Sequence, residues 1–410
     1  MTLPRLAHRR LATAGCLVVL LALLLCAPAA PAATRRHPPK VKKPPALSLY
    51  AQRAVLAYEA MQQNFYVPSA GLYKGEPEYS FLWPFSQALA ASVSVAHISG
   101  QQVKLAGGLR ALATGLQVYA SAPAPVGETT ATGASTTLRS FDGVVAPPVG
   151  PGGDSFYDDN EWVGIELVRL YELSHEPAEL QQAEQIMEFV MAGWQTAGPE
   201  GQPLPCPGGV PFSNAPSNAQ RNTVTDGPAA ELGVQLYRIT HETRYLQFAE
   251  LAYGWVRQCL LEPSGLYADH INLDGEVNRT LWSYTQGTMM GAGALLYQAT
   301  HEGAYLYEAR LTAKAALAYF TYSRLSSENP FFVSVYFRNL LYLDSIARAG
   351  APPAREATLP AREYAYYAWQ RHRLSDDLFA YGSPPTAELL GQAALVQIYA
   401  LLSTPPKTFF

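Results

Sequence analysis

Leu170-Tyr171-Glu172-Leu173-Ser174-His175-Glu176 is a heptapeptide that recurs twice, in altered form, along this 410-residue chain. Its later copies are LYRITHE at 236–242 and LYQATHE at 296–302. The copies begin about 60 residues apart, and similar segments at a regular interval indicate that one structural unit is repeated. Each copy predicts a helix that ends near Ser or Thr, a tight turn at His-Glu, and a second helix.

The two helices of each unit differ in how their apolar side chains are distributed. The first, from about 162 to 173, is apolar around most of its circumference, whereas the second, from about 180 to 194, is apolar along one stripe. The first therefore predicts an inner helix and the second an outer one. Weaker helix pairs can be placed at about 47–66/82–98, 331–349/361–373 and near 386–403. With almost no strand signal, these pairs predict an all-α fold, an (α/α)6 toroid of inner and outer helices.

The lengths of the connections predict which face of the ring carries the function. Turns from an inner to an outer helix are short, as at 174–177 and 240–243. Connections from an outer helix back to an inner one are long, at about 120–157, 196–226 and 262–284. Long connections in a compact domain usually carry function. All of them lead to the N-termini of inner helices, so we expect the site at that mouth of the ring.

The N-terminal residues are interpreted as export and linker segments. Residues 1–33 combine a basic start, a short apolar stretch and small residues before a cleavage site, which is typical of a signal peptide rather than a membrane anchor. Residues 34–46 form a Pro/Lys/Arg-rich tether, and residues 47–405 form a single domain. We therefore expect a secreted protein, extracellular or associated with the cell envelope, with no integral membrane span once the leader is removed.

Charge and ligand spacing argue against several classes of function. The formal net charge is −4. It is about −12 for the body once the basic leader and tether are set aside, which argues against nucleic acid as a partner. The histidines lack paired or HExxH spacing, so we expect no metal and no cofactor. Cys206 and Cys259 could form a disulfide or stay as two buried thiols, and the sequence leaves both open. We expect a monomer.

Asp158 and Asp159 stand side by side where a long connection meets the start of a helix. Consecutive Cα atoms are about 3.8 Å apart, so two adjacent carboxyls reach the ~5–5.5 Å separation of a retaining glycosidase more readily than the ~6.5–9.5 Å of an inverting one. The helix N-terminus favours one ionised carboxylate, whose charge opposes ionisation of the second. The pair thus suits a nucleophile with a proton donor. The alternative is a helix cap with a solvated neighbour.

Three segments together carry a resemblance to a known family. They are YDDNEW at 157–162, TDGPAAEL at 225–232 and WSYTQGTM at 282–289. From about residue 50 to 400 the chain resembles glycoside hydrolase family 76, whose members are endo-α-1,6-mannanases with an (α/α)6 fold that act without a metal. The resemblance implies that Asp158 is the nucleophile and Asp159 the acid/base.

Further residues are candidates for contact with the sugar chain. These candidate substrate-binding residues are Tyr157, Asn160, Asp226, Trp282, Tyr284, Gln286, Trp83 and Gln87. Core packing is an open alternative for the aromatic residues, and helix capping for Asp226 and Gln286. The chain also departs from the family, because GGVPF at 208–212 stands where the family often has Gly-Gly-Ile-Trp-Trp. Two tryptophans that would stack on sugar are thereby lost.

We therefore expect a secreted retaining glycoside hydrolase that cleaves α-1,6-linked mannan or a related envelope polysaccharide through its paired aspartates. Two alternatives stay open. A retaining enzyme can act as a mannan transglycosylase when a sugar hydroxyl replaces water in the second step. The altered subsites also fit a non-catalytic glycan-binding or envelope scaffold protein on the same fold, although a binding cleft gains little from two repelling carboxylates.

Overall fold

The structure, a computed structural model, describes residues 47–76, 78–121, 124–125, 137–348 and 355–410. The predicted signal peptide and tether lie outside these residues. Described residues that belong to regular structure are mostly helical, in six inner and six outer helices and one short extra helix. The inner helices are α2 (Leu82–Ala96), α4 (Tyr157–Ser174), α6 (Thr223–Thr240), α8 (Ser283–Thr300), α11 (Pro330–Ala347) and α13 (Leu389–Leu401). The outer helices are α1 (Leu49–Phe65), α3 (Gln102–Leu116), α5 (Pro177–Ala192), α7 (Thr243–Leu260), α9 (Gly303–Tyr319) and α12 (Arg355–Arg371), and the extra helix is α10 (Tyr322–Leu325).

The inner helices close into a ring. Each packs on the next in the order α2, α4, α6, α8, α11, α13, and α13 returns to pack on α2. Every outer helix packs against the inner helix that precedes or follows it in the chain. The predicted all-α toroid is confirmed. Its layers follow from the sequence pattern: nearly every residue of α13 is buried, whereas α9 buries only Ala309, Thr312, Ala313 and Ala316.

The repeated heptapeptide forms the same turn in all three of its copies. His175, His241 and His301 cap the inner helices in the left-handed conformation, with φ between 58° and 61°. Each histidine N–H donates to the carbonyl of the tyrosine four residues earlier at 2.8 Å. The Ser or Thr hydroxyl just before the histidine accepts the N–H of the glutamate just after it, at 3.0–3.2 Å. These histidines therefore end the inner helices, because a residue in the left-handed conformation does not continue an α-helix.

The strands all lie in connections from an outer to an inner helix, on the mouth side of the ring. They are two-residue strands: β1 (Tyr66–Val67), β2 (Leu72–Tyr73), β3 (Ala124–Pro125), β4 (Thr137–Leu138), β5 (Arg221–Asn222), β6 (His270–Ile271), β7 (Val277–Asn278), β8 (Ala380–Tyr381) and β9 (Thr386–Ala387). Antiparallel pairing joins β1 to β2, β3 to β4, β8 to β9, and β5 to β6 to β7. The last sheet ties two long connections together. Cys206 and Cys259 form a disulfide that fastens the same region to the end of α7.

Residues after position 405, where the predicted domain ends, also belong to the compact unit. Phe409 and Phe410 are 2% and 3% exposed. Their segment lies against α11, because Arg338 Nε donates to the carbonyl of Phe409 at 2.9 Å. The C-terminal segment thus packs on the inner ring from the side opposite the mouth.

Candidate active site

Asp158 and Asp159 occupy the first turn of α4, which begins at the mouth of the ring. Phe156 precedes the helix in an extended conformation, and the N–H of Tyr157 donates to the carbonyl of Phe212 at 3.1 Å. Asp158 is 9% exposed, whereas Asp159 is half-buried and lines a cleft. The structure therefore places both carboxyls at the mouth, with Asp158 the deeper of the two.

Burial raises the pKa of both aspartates, and other groups around them move the two pKa values apart. Burial raises the pKa of Asp158 to about 7, while the backbone N–H groups of Asp159 and Asp158 itself act in the opposite direction. Burial raises the pKa of Asp159 well above its ordinary value, and the charge of Asp158 raises it further. Two carboxyls so close titrate as a coupled pair, and the helix N-terminus favours charge on Asp158. One ionised and one protonated carboxyl is the arrangement that acid-assisted displacement requires.

The side chains of three candidate substrate-binding residues form hydrogen bonds to backbone groups of the long connections instead of facing the cleft. Asn160 accepts the N–H of Phe141 at 2.7 Å and donates to its carbonyl at 2.9 Å, and Gln286 holds the N–H and carbonyl of Tyr267 at 2.8 and 3.0 Å. Asp226 accepts the N–H of Val210 with both oxygens at 3.2 Å. All three are fully buried. The prediction that they contact substrate is corrected: they position the long connections that form the mouth.

These three residues share one place in the repeat, since each is the fourth residue of its inner helix. The fourth residue of α13, Gln392, does the same: it accepts the N–H of Phe379 at 2.9 Å and donates to the carbonyl of Asp377 at 3.2 Å. The sequence carried this signal, because the positions are equivalent in the repeats. It did not show which way the side chains point.

Tyr157 and Gln87 are also corrected as substrate-binding residues, because both are buried in the packing between helices. The ring of Tyr157 is 7% exposed and stacks on Phe189, with centroids 4.3 Å apart and planes 8° apart. Gln87 is 3% exposed, and its side-chain oxygen and carbonyl accept hydrogen bonds from the amide of Gln397 at 3.2 and 3.3 Å. Neither side chain lines the cleft beside Asp159.

Trp83, Trp282 and Tyr284 meet at one side of the mouth and remain partly exposed. Tyr284 stacks on Phe332 with ring centroids 4.0 Å apart, and the ring centroid of Trp282 lies 5.4 Å from that of Phe332. Trp83 packs edge-on against Phe331, with ring centroids 4.9 Å apart. Trp83 also lines the cleft. The charge of Asp158 contributes to a raised pKa of Tyr284, after burial and Asp269, so this phenol lies within the electrostatic reach of the aspartate pair.

The cleft beside Asp159 has a volume of about 1130 Å³ and extends along the rim from α2 to the start of α13. Several of its lining residues were not predicted: Phe65, Lys74, Glu76, Phe81, Val144, Phe156, Phe212 and Glu388. Phe81 is 52% exposed, which is high for so large an apolar side chain. Phe212 stands in the segment where tryptophans were expected, so an aromatic ring is kept there. The others come from the end of α1 and from the connections that lead into α2, α4 and α13.

A family model described as "Glycosyl hydrolase family 76" matches residues 49–334. The chain belongs to glycoside hydrolase family 76. Over 86 residues, 20% of its length, it is 29% identical to mannan endo-1,6-alpha-mannosidase DCW1 of Candida glabrata. That match spans 19% of the relative's own length.

Solved structures of family 76 proteins share this fold. The mannosidase Bt3792 of Bacteroides thetaiotaomicron superposes with a TM-score of 0.74 at 20% identity, covering 87% of this chain and 98% of that one. An inactive variant of the alpha-1,6-mannanase GH76A of Salegentibacter sp. HEL1_6, in complex with alpha-1,6-mannotriose, gives a TM-score of 0.69 at 21% identity, covering 86% of this chain and 99% of that one. At such identities the likeness establishes the toroid and nothing finer.

Below the aspartate pair, this family 76 chain buries further carboxyl groups along the ring. Glu161 is fully buried, and neither of its oxygens has a hydrogen-bond partner among the described residues. Glu231, on α6, is 1% exposed, and burial raises its pKa to about 8 against the opposing effects of Arg338 and Asn339. Gly291 makes room for it, because a Cβ there would lie 2.3 Å from Glu231 Oε1.

Deeper in the ring, Glu166 is paired with two arginines. Arg169 Nη1 donates to its carboxylate at 2.5 Å and Arg338 Nη1 at 2.8 Å. Arg169 also donates to Ser94 Oγ at 3.2 Å and to the carbonyl of Thr408 at 3.3 Å. We call Glu166, Arg169 and Arg338 the ion cluster, and Asp158, Asp159 and Glu161 the mouth cluster.

Neither a metal site nor a membrane-spanning helix is found among the described residues. No group of three or more His, Cys, Asp or Glu side chains there has a geometry that could hold a metal ion. No described helix is both long enough and apolar enough to span a bilayer.

Proposed function

We propose that this protein is a secreted retaining glycoside hydrolase that cleaves α-1,6-linked mannose polymers or a related envelope glycan. The observation that carries the proposal is the pair of adjacent aspartates at the N-terminus of α4, one beneath the surface and one lining the cleft. Both carry raised pKa values, and Asp158 is the one favoured by backbone N–H groups. This division suits a nucleophile at Asp158 and an acid/base at Asp159.

The reaction has two displacements at the anomeric carbon. In the first, a carboxylate oxygen of Asp158 bonds to that carbon while the glycosidic bond breaks, and Asp159 gives its proton to the departing oxygen. In the second, Asp159 takes a proton from water as the water oxygen replaces Asp158 on the same carbon. Each step inverts the carbon, so the product keeps the configuration of the substrate.

Two relatives support the choice of glycan. The Candida glabrata relative is named as a mannan endo-1,6-alpha-mannosidase. The Salegentibacter structure is of an inactive variant in which two adjacent aspartates are replaced by asparagine, and it binds alpha-1,6-mannotriose. Asp158 and Asp159 are adjacent aspartates in a chain of the same fold, which is why the proposal assigns them the same importance here.

The test is incubation of the purified protein with linear α-1,6-mannan and a panel of other neutral polysaccharides, followed by product analysis. We expect oligosaccharides from α-1,6-mannan, and NMR of the first product should show the α-anomer. The matched control is the double variant Asp158→Asn/Asp159→Asn, which keeps the side-chain shapes. Release of no oligosaccharide from any polymer, or a β-anomer as the first product, would overturn the proposal.

The same assay separates the two other candidate functions. A labelled mannose oligosaccharide added as acceptor becomes part of longer products if the protein is a transglycosylase. A glycan-binding scaffold would bind mannan with equal affinity as the parent and as the double variant, with no turnover by either. Titration calorimetry on both proteins measures that affinity.

A further inference from the structure

Glu161 differs from the corresponding residue of every comparable repeat. It is the fifth residue of α4, and the fifth residues of α6, α8 and α13 are Gly227, Gly287 and Ala393. A Cβ at Gly227 would lie 2.5 Å from Thr288 Oγ1, and one at Gly287 would lie 2.9 Å from the Cα of Tyr336. Close packing therefore requires a small residue at the fifth position of these other inner helices. Among the four, only α4 has a long polar side chain at that position.

Burial without a partner makes an ionised Glu161 unfavourable. The residue is fully buried, and neither carboxyl oxygen has a hydrogen-bond partner among the described residues. An isolated charge in such surroundings is so costly that the group takes up a proton instead. These surroundings therefore favour the protonated form of Glu161, which can donate a hydrogen bond.

The charges around Glu161 act in the same direction. Burial raises its pKa well above the ordinary value, and Asp158 on its own helix, then Asp226 and Glu231 on α6, raise it further. Two other helices pack closely on α4: α2 has no acidic or basic residue along its length, and the charged residues of α5 are all acidic, Glu179, Glu184 and Glu188. No cation of the described residues is among the groups that perturb the Glu161 carboxyl.

Asp158 offers the matching acceptor. Its Oδ1 is buried and has no hydrogen-bond partner among the described residues. Asp158 and Glu161 are three residues apart on one helix, so their side chains lie on the same face, about 5–6 Å apart at Cβ. Two carboxyls at that spacing can form a hydrogen bond only when one of them carries a proton.

We propose that Glu161 is held as a neutral carboxylic acid whose O–H donates to Oδ1 of Asp158, so that it is a positioning residue for the nucleophile. The proposal rests on the proposed function, in which Asp158 attacks the sugar. A hydrogen bond to the ionised form favours that form, as a buried acid kept neutral at pH 7 does in other enzymes. It also fixes the orientation of the Asp158 carboxyl through its buried Oδ1.

The pH profile of kcat/KM on α-1,6-mannan tests the direction of this effect. Glu161→Gln keeps a donor, so its acid limb should stay near the parent's. Glu161→Leu removes the donor, so its acid limb should move up by about one pH unit, with activity at pH 6 reduced about tenfold or more and recovered in part at higher pH. Glu231→Gln, a buried carboxyl deeper in the ring, is the matched control and should leave the acid limb in place.

Two other results for Glu161→Leu would overturn the proposal. An acid limb that moves down in Glu161→Leu would mean that Glu161 is ionised and repels Asp158. A lower melting temperature with an unchanged limb would mean that Glu161 only fills space.

Infrared difference spectroscopy tests the protonation without any substrate, so it separates failure of this inference from failure of the proposed function. At neutral pH, the parent minus Glu161→Gln should show the C=O stretch of a neutral carboxylic acid. That band should move to higher frequency in Asp158→Ala, because its hydrogen bond is lost. Absence of the band from the parent would overturn the inference even if the protein degrades mannan. Its presence would sustain the proton on Glu161 even if no glycan is cleaved.

Discussion

Asp158 and Glu166 belong to the same helix, about 12 Å apart along its axis. Their buried carboxyls differ in that, within the part of the chain that the structure describes, one has counter-ions and the other has none. Glu166 lies between Arg169 and Arg338, with donor distances of 2.5 and 2.8 Å. No ion pair involves Asp158, Asp159 or Glu161 among the described residues. Compensated buried charges hold parts of a fold together, whereas uncompensated ones cost stability and are retained where chemistry needs shifted pKa values.

The comparison predicts that changes at the mouth cluster mainly affect catalysis and changes at the ion cluster mainly affect stability. The largest expected effect is the loss of turnover in Asp158→Ala, by about 10⁴-fold or more on every substrate, because the variant lacks the proposed nucleophile. Asp159→Ala should be gentler on an aryl α-mannoside, whose leaving group needs little protonation. Added azide should partly restore its turnover by replacing base-assisted water. Steady-state rates with and without azide measure both effects.

The same variants distinguish this division of labour from the reverse one. Azide rescue of Asp158→Ala with inverted product, together with an Asp159→Ala that stays inactive on activated substrates, would exchange the two roles. Unchanged circular dichroism of both variants is the control for folding.

At the ion cluster, Arg338→Leu should lower the free energy of unfolding by about 3–5 kcal/mol, because it leaves Glu166 with one counter-ion fewer in a buried site. It also removes the donor to the carbonyl of Phe409. Urea denaturation measures the change. Arg310→Leu on the exposed side of α9 is the matched control, with an expected change of a few tenths of a kcal/mol. A loss below about 1 kcal/mol in Arg338→Leu would contradict the structural role of the cluster.

The unpaired carboxyls should also make the fold less stable as pH rises. The folded protein keeps protons on Asp158 and Glu231, whose pKa values are raised to about 7 and about 8, while the unfolded chain loses them near pH ~4. Their contribution to stability is therefore present below the unfolded pKa and is lost as pH rises through the folded pKa. We expect the free energy of unfolding to fall by roughly 3–7 kcal/mol between pH 5 and pH 8, since each such proton changes it by about 1.4 kcal/mol per pH unit.

Denaturation at a series of pH values measures that slope, and the isosteric variant Glu231→Gln should flatten it. The variant removes one titrating carboxyl and keeps the shape of the side chain. A parent whose stability rises with pH over this range would contradict the predicted direction.

The smallest expected effect sharpens the comparison most directly. Asp158→Asn should raise the free energy of unfolding at pH 8 by about 1 kcal/mol while it removes activity, because a buried and repelled charge becomes neutral. The same kind of change in the ion cluster, Glu166→Gln, should lower stability. Thermal melting of the two variants at pH 8 decides the matter, and a change of the same sign in both would remove the distinction between the clusters.

The repeats explain why the fold was predictable and part of the site was not. LYELSHE and its copies specify a helix end, a turn and a helix start in local sequence, so the inner and outer layers follow from short-range pattern. The roles of Asn160 and Gln286 depend on which way a side chain turns at a helix start, and the repeat pattern does not contain that direction. Glu388 lies in the connection before α13, outside the clear repeats, so its approach to the cleft is a product of ring closure.

The cysteines illustrate the same limit. The sequence left the state of Cys206 and Cys259 open, and the structure joins them in a disulfide between the connection that precedes α6 and the end of α7. Glu161 was visible in YDDNEW but did not stand out, because its contrast with Gly227, Gly287 and Ala393 appears only when the helices are in register.

Closure of the ring has a consequence for how the chain folds. α13 packs on α2 across a long separation in the chain, and the hydrogen bond from Gln397 to the carbonyl of Gln87 spans 310 residues. Contacts so distant in sequence form slowly, because a long loop must close before they stabilise anything. Until α13 docks, α2 and α11 each present an uncovered apolar face, which is a hazard for aggregation. The first repeats can thus fold locally as soon as they are synthesised. The buried surroundings of Asp158 form only after α13, the last inner helix, has docked.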